Sequence, residues 1–131
     1  MKKILIVLML TITSIDVFAE LMQVTESKDL TLYVYPTTIR AVGAKVKMWD
    51  LTDYKRGMES HGASGYYWSS KAQIEYDCEE EQSRILTFSH FSEPKGQGRV
   101  LYSHEEPSKW KPIMPESMGQ NLWEIACDKR Q

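Results

Sequence analysis

Cysteine is close to absent: the 131 residues hold two, Cys78 and Cys127. A scaffold stapled by several bridges is excluded, and a zinc site would need closer Cys or His spacing than the chain offers. Histidine is scarce as well. His61, His90 and His104 are the three present, and no two stand at metal-ligand spacing. No apolar run approaches the roughly 20 residues of a membrane span. The longest, Ile4 to Ile15, is interrupted by Thr11, Thr13 and Ser14 and followed by Asp16. Neither charge dominates: sixteen Lys+Arg face eighteen Asp+Glu, a net charge of -2 with a pI near 5.9. A field of that kind does not gather polyphosphate, which argues against nucleic acid as a partner. Gly96-Gln97-Gly98 is the nearest approach to a phosphate loop, but no Lys-Ser/Thr pair follows and no helix opens after it, so it reads as a turn. Glu105-Glu106 and Glu79-Glu80-Glu81 are adjacent carboxylates of the kind that water solvates. No catalytic constellation and no cofactor signature stands out.

What is present is an ordinary globular composition, 42% hydrophobic and 26% charged, at a length suited to one core and one domain. The first nineteen residues differ from the rest. Lys2 and Lys3 precede the apolar run, and Val17-Phe18-Ala19 ends with the small residue that signal peptidase requires. Residues 1–19 therefore predict a removed signal peptide, with residues 20–131 as the mature domain. Cutting after Ala19 removes Lys2, Lys3 and Asp16 and leaves the mature chain mildly acidic. No cysteine near the cut offers a thiol for a lipid anchor. In the oxidising compartment that export implies, Cys78 and Cys127 are expected to pair. The closed loop of 49 residues would contribute about 4 kcal/mol by the chain-entropy estimate.

Strands dominate the mature pattern. Leu30, Leu32 and Val34 alternate with Thr31, Tyr33 and Tyr35, and Pro36 ends that strand. Thr37 to Arg40 read as a turn before Gly43. A second alternating run covers Lys45 to Lys55, its phase blurred because Asp50 and Thr52 share a side with Val46. Arg56 to Gly65 reads as a flexible loop. Tyr66 to Cys78 alternates most cleanly, and Arg84 to Phe91 returns after the glutamate turn as an antiparallel hairpin. Pro94 to Gly98 forms a turn and Arg99 to Ser103 a short strand. Glu105 to Pro115 contains three of the five prolines, so no strand is expected there. Ser117 with Gln120 makes a capping box, and Met118, Leu122, Ile125 and Ala126 fall at helical spacing, which predicts a helix over 117–128. The fold class is α+β: one antiparallel sheet of about six strands with the helix disulfide-tethered to one face.

Six segments carry a family resemblance: Tyr33-Val34-Tyr35-Pro36-Thr37-Thr38-Ile39-Arg40, Val46-Lys47-Met48-Trp49, Tyr76-Asp77-Cys78 with Arg84-Ile85-Leu86, Trp110-Lys111-Pro112-Ile113-Met114-Pro115, and Leu122-Trp123-Glu124-Ile125-Ala126-Cys127. Their order and spacing resemble the surface-adhesin protein E family of Gram-negative bacteria across nearly the whole mature chain. The resemblance implies an exported, non-enzymatic binding protein whose partners are host glycoproteins such as vitronectin, laminin or plasminogen. A structural or accessory role in the periplasm on the same scaffold is the competing reading. Ligand-binding candidates are Lys55 and Arg56 with Tyr66 and Tyr67 at the loop borders, and Lys109 and Lys111 around Trp110. The plainer alternative makes them solvated strand ends and sheet aromatics. The Glu79–Glu81 run has the wrong sign for a basic contact surface. Unpaired sheet edges would also allow a second copy to dock.

Overall fold

The alternating stretches become the strands of one antiparallel sheet in the computed structural model, which describes residues 20–60 and 65–128. The expected signal peptide and His61 lie outside the described residues. The strands are β1 (Met22–Glu26), β2 (Leu30–Val34), β3 (Arg40–Val42), β4 (Lys45–Glu59), β5 (Tyr66–Asp77), β6 (Gln82–Phe91), β7 (Val100–His104) and β8 (Lys111–Pro112). One helix, α1 (Met118–Asp128), follows. The sheet runs β1-β2-β4-β5-β6-β7, with β3 beside β4 and β8 beside β6.

The sheet has eight strands rather than about six, and each addition has a local cause. Strand β1 was missed because a five-residue edge strand needs only Val24 to reach the core. Strand β3 takes over part of the segment read as a turn. After a 3-10 turn at Pro36–Thr38 the chain extends, and Gly43, at φ +60°, lets it double back onto β4. Strand β8 crosses the proline-rich segment where no strand was expected. It is two residues long at an edge, where a proline without an N–H is tolerated. The loop expected from Arg56 is also corrected. Strand β4 continues through Arg56 to Glu59, and Met58 and Glu59 pair with Tyr67 and Tyr66 beyond a register shift after Asp53.

Residues paired across antiparallel strands share a face, and this fixes the phase left unclear for β4. Val46, Met48 and Asp50 face the same way as Tyr76, Ile74 and Ala72 on β5. Val46, Met48, Tyr76, Leu32 and Val34 make the buried core with Leu122 and Ala126 of α1. Burying a valine, leucine or methionine among them contributes roughly 1.5–3 kcal/mol relative to exposure. The cap of α1 departs slightly from the expected box. The Gln120 N–H donates to Ser117 Oγ at 3.1 Å, but Gln120 Oε1 accepts from the Glu116 N–H, one residue earlier than the reciprocal bond requires. Cys78 and Cys127 are bonded, with Cα atoms 5.7 Å apart. Nearby the Trp123 indole N–H donates to the Asp77 carbonyl at 3.0 Å. The helix is thus fastened to the end of β5 twice, once covalently.

Candidate protein-binding surface

The two groups of candidate residues lie at opposite ends of the sheet. Lys55 and Arg56 sit near the end of β4, beside Tyr66 and Tyr67 at the start of β5. Lys109 and Lys111 flank Trp110, whose ring lies under the Lys45 ammonium, 5.5 Å from its centroid, at the start of β4. Ten residues of strand separate Lys45 from Lys55, roughly 30 Å at the usual rise. One compact site cannot include both groups.

At the hairpin tip the four candidates divide. Lys55 forms an ion pair with Glu26 of β1 at 2.8 Å. Tyr67 is held by rings: it stacks on His90 at 3.8 Å and meets Tyr54 edge-on at 5.4 Å. Burial, first, and then Tyr54 raise the Tyr67 hydroxyl pKa. Both residues therefore frame the tip. Tyr66 is 58% exposed, and the structure adds a neighbour that was not singled out in the sequence, Trp68, at 37%. They point to the same side of β5, and Gly57 lies across from both. A Cβ at Gly57 would stand 2.9 Å from Tyr66 Cβ and 3.4 Å from Trp68 Cε2. The missing side chain gives the two aromatics their seat. With exposed Arg56 next to Gly57 in the chain, this end of the hairpin has the residue types that carry binding energy at protein interfaces. The signal was legible: Trp68 lies within the Tyr66–Cys78 alternation, but on the same side as Ala72, Ile74 and Tyr76, which suggests a core position.

The ring contacts continue from Tyr67 across the helix-side face. His90, Phe88, Tyr102 and His104 follow at centroid distances of 5.3 to 5.7 Å. At the other end, Trp110 is covered by Lys45 and by the Arg84 guanidinium, 4.7 Å from its centroid. Arg84 is itself tied to the nearly buried Glu75 at 2.7 Å. Trp110 therefore packs, while Lys109 and Lys111 remain exposed around it.

One carboxyl group stands apart. Asp50 lies inside the helix-side face, and burial pushes its pKa up to about 7. Tyr76 is held well above 10, first by burial and then by the Asp50 charge. Among the described residues no group of three His, Cys, Asp or Glu could hold a metal ion, and no helix is long and apolar enough to cross a membrane.

The sequence profile of the family described as surface-adhesin protein E matches residues 18–128. No curated protein sequence matches the chain significantly. Among solved structures the chain is similar to Haemophilus influenzae protein E. In a second crystal form of that protein the TM-score is 0.68 at 14% identity, covering 88% of this chain and 92% of that one. The selenomethionine form gives 0.67 at 15% identity over 86% and 89%. Protein E from non-typeable Haemophilus influenzae gives 0.62 at 14% over 81% and 75%. At such identities the likeness shows a shared fold.

Proposed function

Since the chain belongs to the surface-adhesin protein E family, we propose that it is an exported adhesin that binds host extracellular-matrix or plasma glycoproteins without chemical turnover. Family membership across residues 18–128 is the observation that carries this reading. The contact region we assign is the β4–β5 tip, with Arg56, Tyr66 and Trp68 meeting the partner and Lys55 and Tyr67 fixing the geometry. Lys109 and Lys111 form a second, separate basic patch. Export is supported by the N-terminal pattern of residues 1–19 and by the Cys78–Cys127 bond, which an oxidising compartment maintains.

Location and binding test the reading separately. The chain on intact cells should be cut by added protease, and the purified mature domain should bind vitronectin, laminin or plasminogen saturably at micromolar concentration. Protection in intact cells together with no binding to any of the three would favour the accessory periplasmic role.

A further inference from the structure

The face of the sheet opposite α1 holds a feature that the adhesin reading does not use. A pocket of about 280 Å³ is lined by Tyr35, Thr38, Trp49 and Lys71. Its wall is the Pro36–Thr38 turn, fixed to β4 by two hydrogen bonds and closed by a third within the turn. Thr38 Oγ1 accepts from the Trp49 N–H at 3.0 Å and donates to the Tyr35 carbonyl at 2.6 Å, and the Tyr35 N–H donates to the Trp49 carbonyl at 3.0 Å. The Thr38 hydroxyl is thereby engaged. The other donors of the lining are not: among the described residues the Tyr35 hydroxyl, the Trp49 indole N–H and the Lys71 ammonium have no hydrogen-bond acceptor.

Lys71 is also set up for a charged partner. Its ammonium stands 5.6 Å from the Tyr35 ring centroid and 5.5 Å from that of Phe91, and no carboxylate among the described residues pairs with it. Gly96, at φ +69°, lies over its stem, where an added Cβ would collide with Lys71 Cε. That glycine is anchored in turn. The fully buried Ser69 Oγ accepts the Gly96 N–H at 2.9 Å and donates to the Glu93 carbonyl at 2.6 Å, and the Lys95 N–H donates to Asp53 at 2.6 Å. The neighbouring cation, Lys95, is already paired with Asp53. Of Lys71 beneath this turn and Lys95 within it, Lys71 is the one without a counter-ion among the described residues.

We propose that the Tyr35–Trp49–Lys71 pocket binds a carboxylate carried on an apolar or aromatic body, with the carboxylate on Lys71 and the body against Tyr35 and Trp49. A cation already stripped of part of its water and held between rings gains more from an anion than a freely solvated lysine does. The Trp49 indole N–H and the Tyr35 hydroxyl in the same lining are further donors that suit the acceptor-only oxygens of that group. The source is either a free small acid or the C-terminus of a polypeptide. The site stands whether or not the domain holds matrix glycoproteins.

Titration of the isotope-labelled mature domain by two-dimensional NMR tests this, with benzoate and benzamide as one pair of probes. A short peptide ending in phenylalanine, with a free or an amidated C-terminus, is the other pair. The Trp49 indole N–H signal should move saturably with benzoate, with the free-acid peptide, or with both, and the neutral counterparts should bind about tenfold more weakly. Tighter binding of the peptide would make a chain terminus the source; tighter binding of benzoate would make it a free acid. Lys71→Gln should abolish the preference for the charged probes, and Lys71→Arg should retain it, each variant keeping the wild-type spectrum elsewhere. Equal binding of charged and neutral probes, an unchanged preference in Lys71→Gln, or no saturable shift with either acid would overturn the proposal.

Discussion

Asp50 shows at the residue scale how the fold overrides a sequence signal. On alternation alone it occupied an inward position that a carboxylate should not take, which is why the phase of β4 looked ambiguous. The position is inward, and desolvation lifts the carboxyl from 3.8 to about 7. Its folded pKa lies above its unfolded one, so the folded chain binds the extra proton and loses stability as pH rises through that window. Unfolding free energy from urea titrations should therefore fall between about pH 4 and pH 7, by on the order of 4 kcal/mol from this group alone. Asp50→Asn should flatten that slope, matching wild type near pH 4 and exceeding it above pH 7. A wild-type slope that survives the substitution would assign it to other groups.

The elements legible in sequence were those whose register is set by their own side chains. Strand β5, with Ala72, Ile74 and Tyr76 inward, and α1, with Leu122 and Ala126 inward, were read correctly because burial on one face imposes a period. What escaped were pieces fixed by a neighbour's unpaired backbone. Strands β3 and β8 exist because β4 and β6 offer free edges, and Lys111-Pro112 carries no period of its own. The binding candidates followed the same division: Arg56, Tyr66, Lys109 and Lys111 are exposed, but the partners that occupy Lys55 and Tyr67 come from β1 and β6. The Pro94–Gly96 turn is likewise held from outside, by Ser69 on β5. Ser69→Ala leaves the Gly96 N–H and Glu93 carbonyl without that partner and should cost about 1–3 kcal/mol. Hydrogen exchange at Gly96 should accelerate more than exchange within β5, whereas uniform acceleration would mean that the turn has no independent anchorage.

For the whole molecule, the disulfide and the core under α1 act on different states. The core of Val46, Met48, Tyr76 and Leu122 holds the native arrangement, while the Cys78–Cys127 bond chiefly limits the unfolded chain. The double replacement Cys78→Ser with Cys127→Ser should leave the native circular dichroism spectrum in place and cost about 4 kcal/mol, with a steeper denaturant dependence because the unfolded chain expands further. Loss of the native spectrum without denaturant would show that the core cannot hold the helix alone. A rigid sheet of this kind suits an adhesin, because exposed aromatics carried on a paired strand lose little freedom on binding. The most direct test of that claim is surface plasmon resonance of the mature domain over immobilised vitronectin and laminin, comparing wild type with Tyr66→Ala, Trp68→Ala. Saturable binding weakened at least about tenfold in the double variant, with the fold unchanged, is the predicted result; equal binding by the two proteins, or none by wild type, would contradict it.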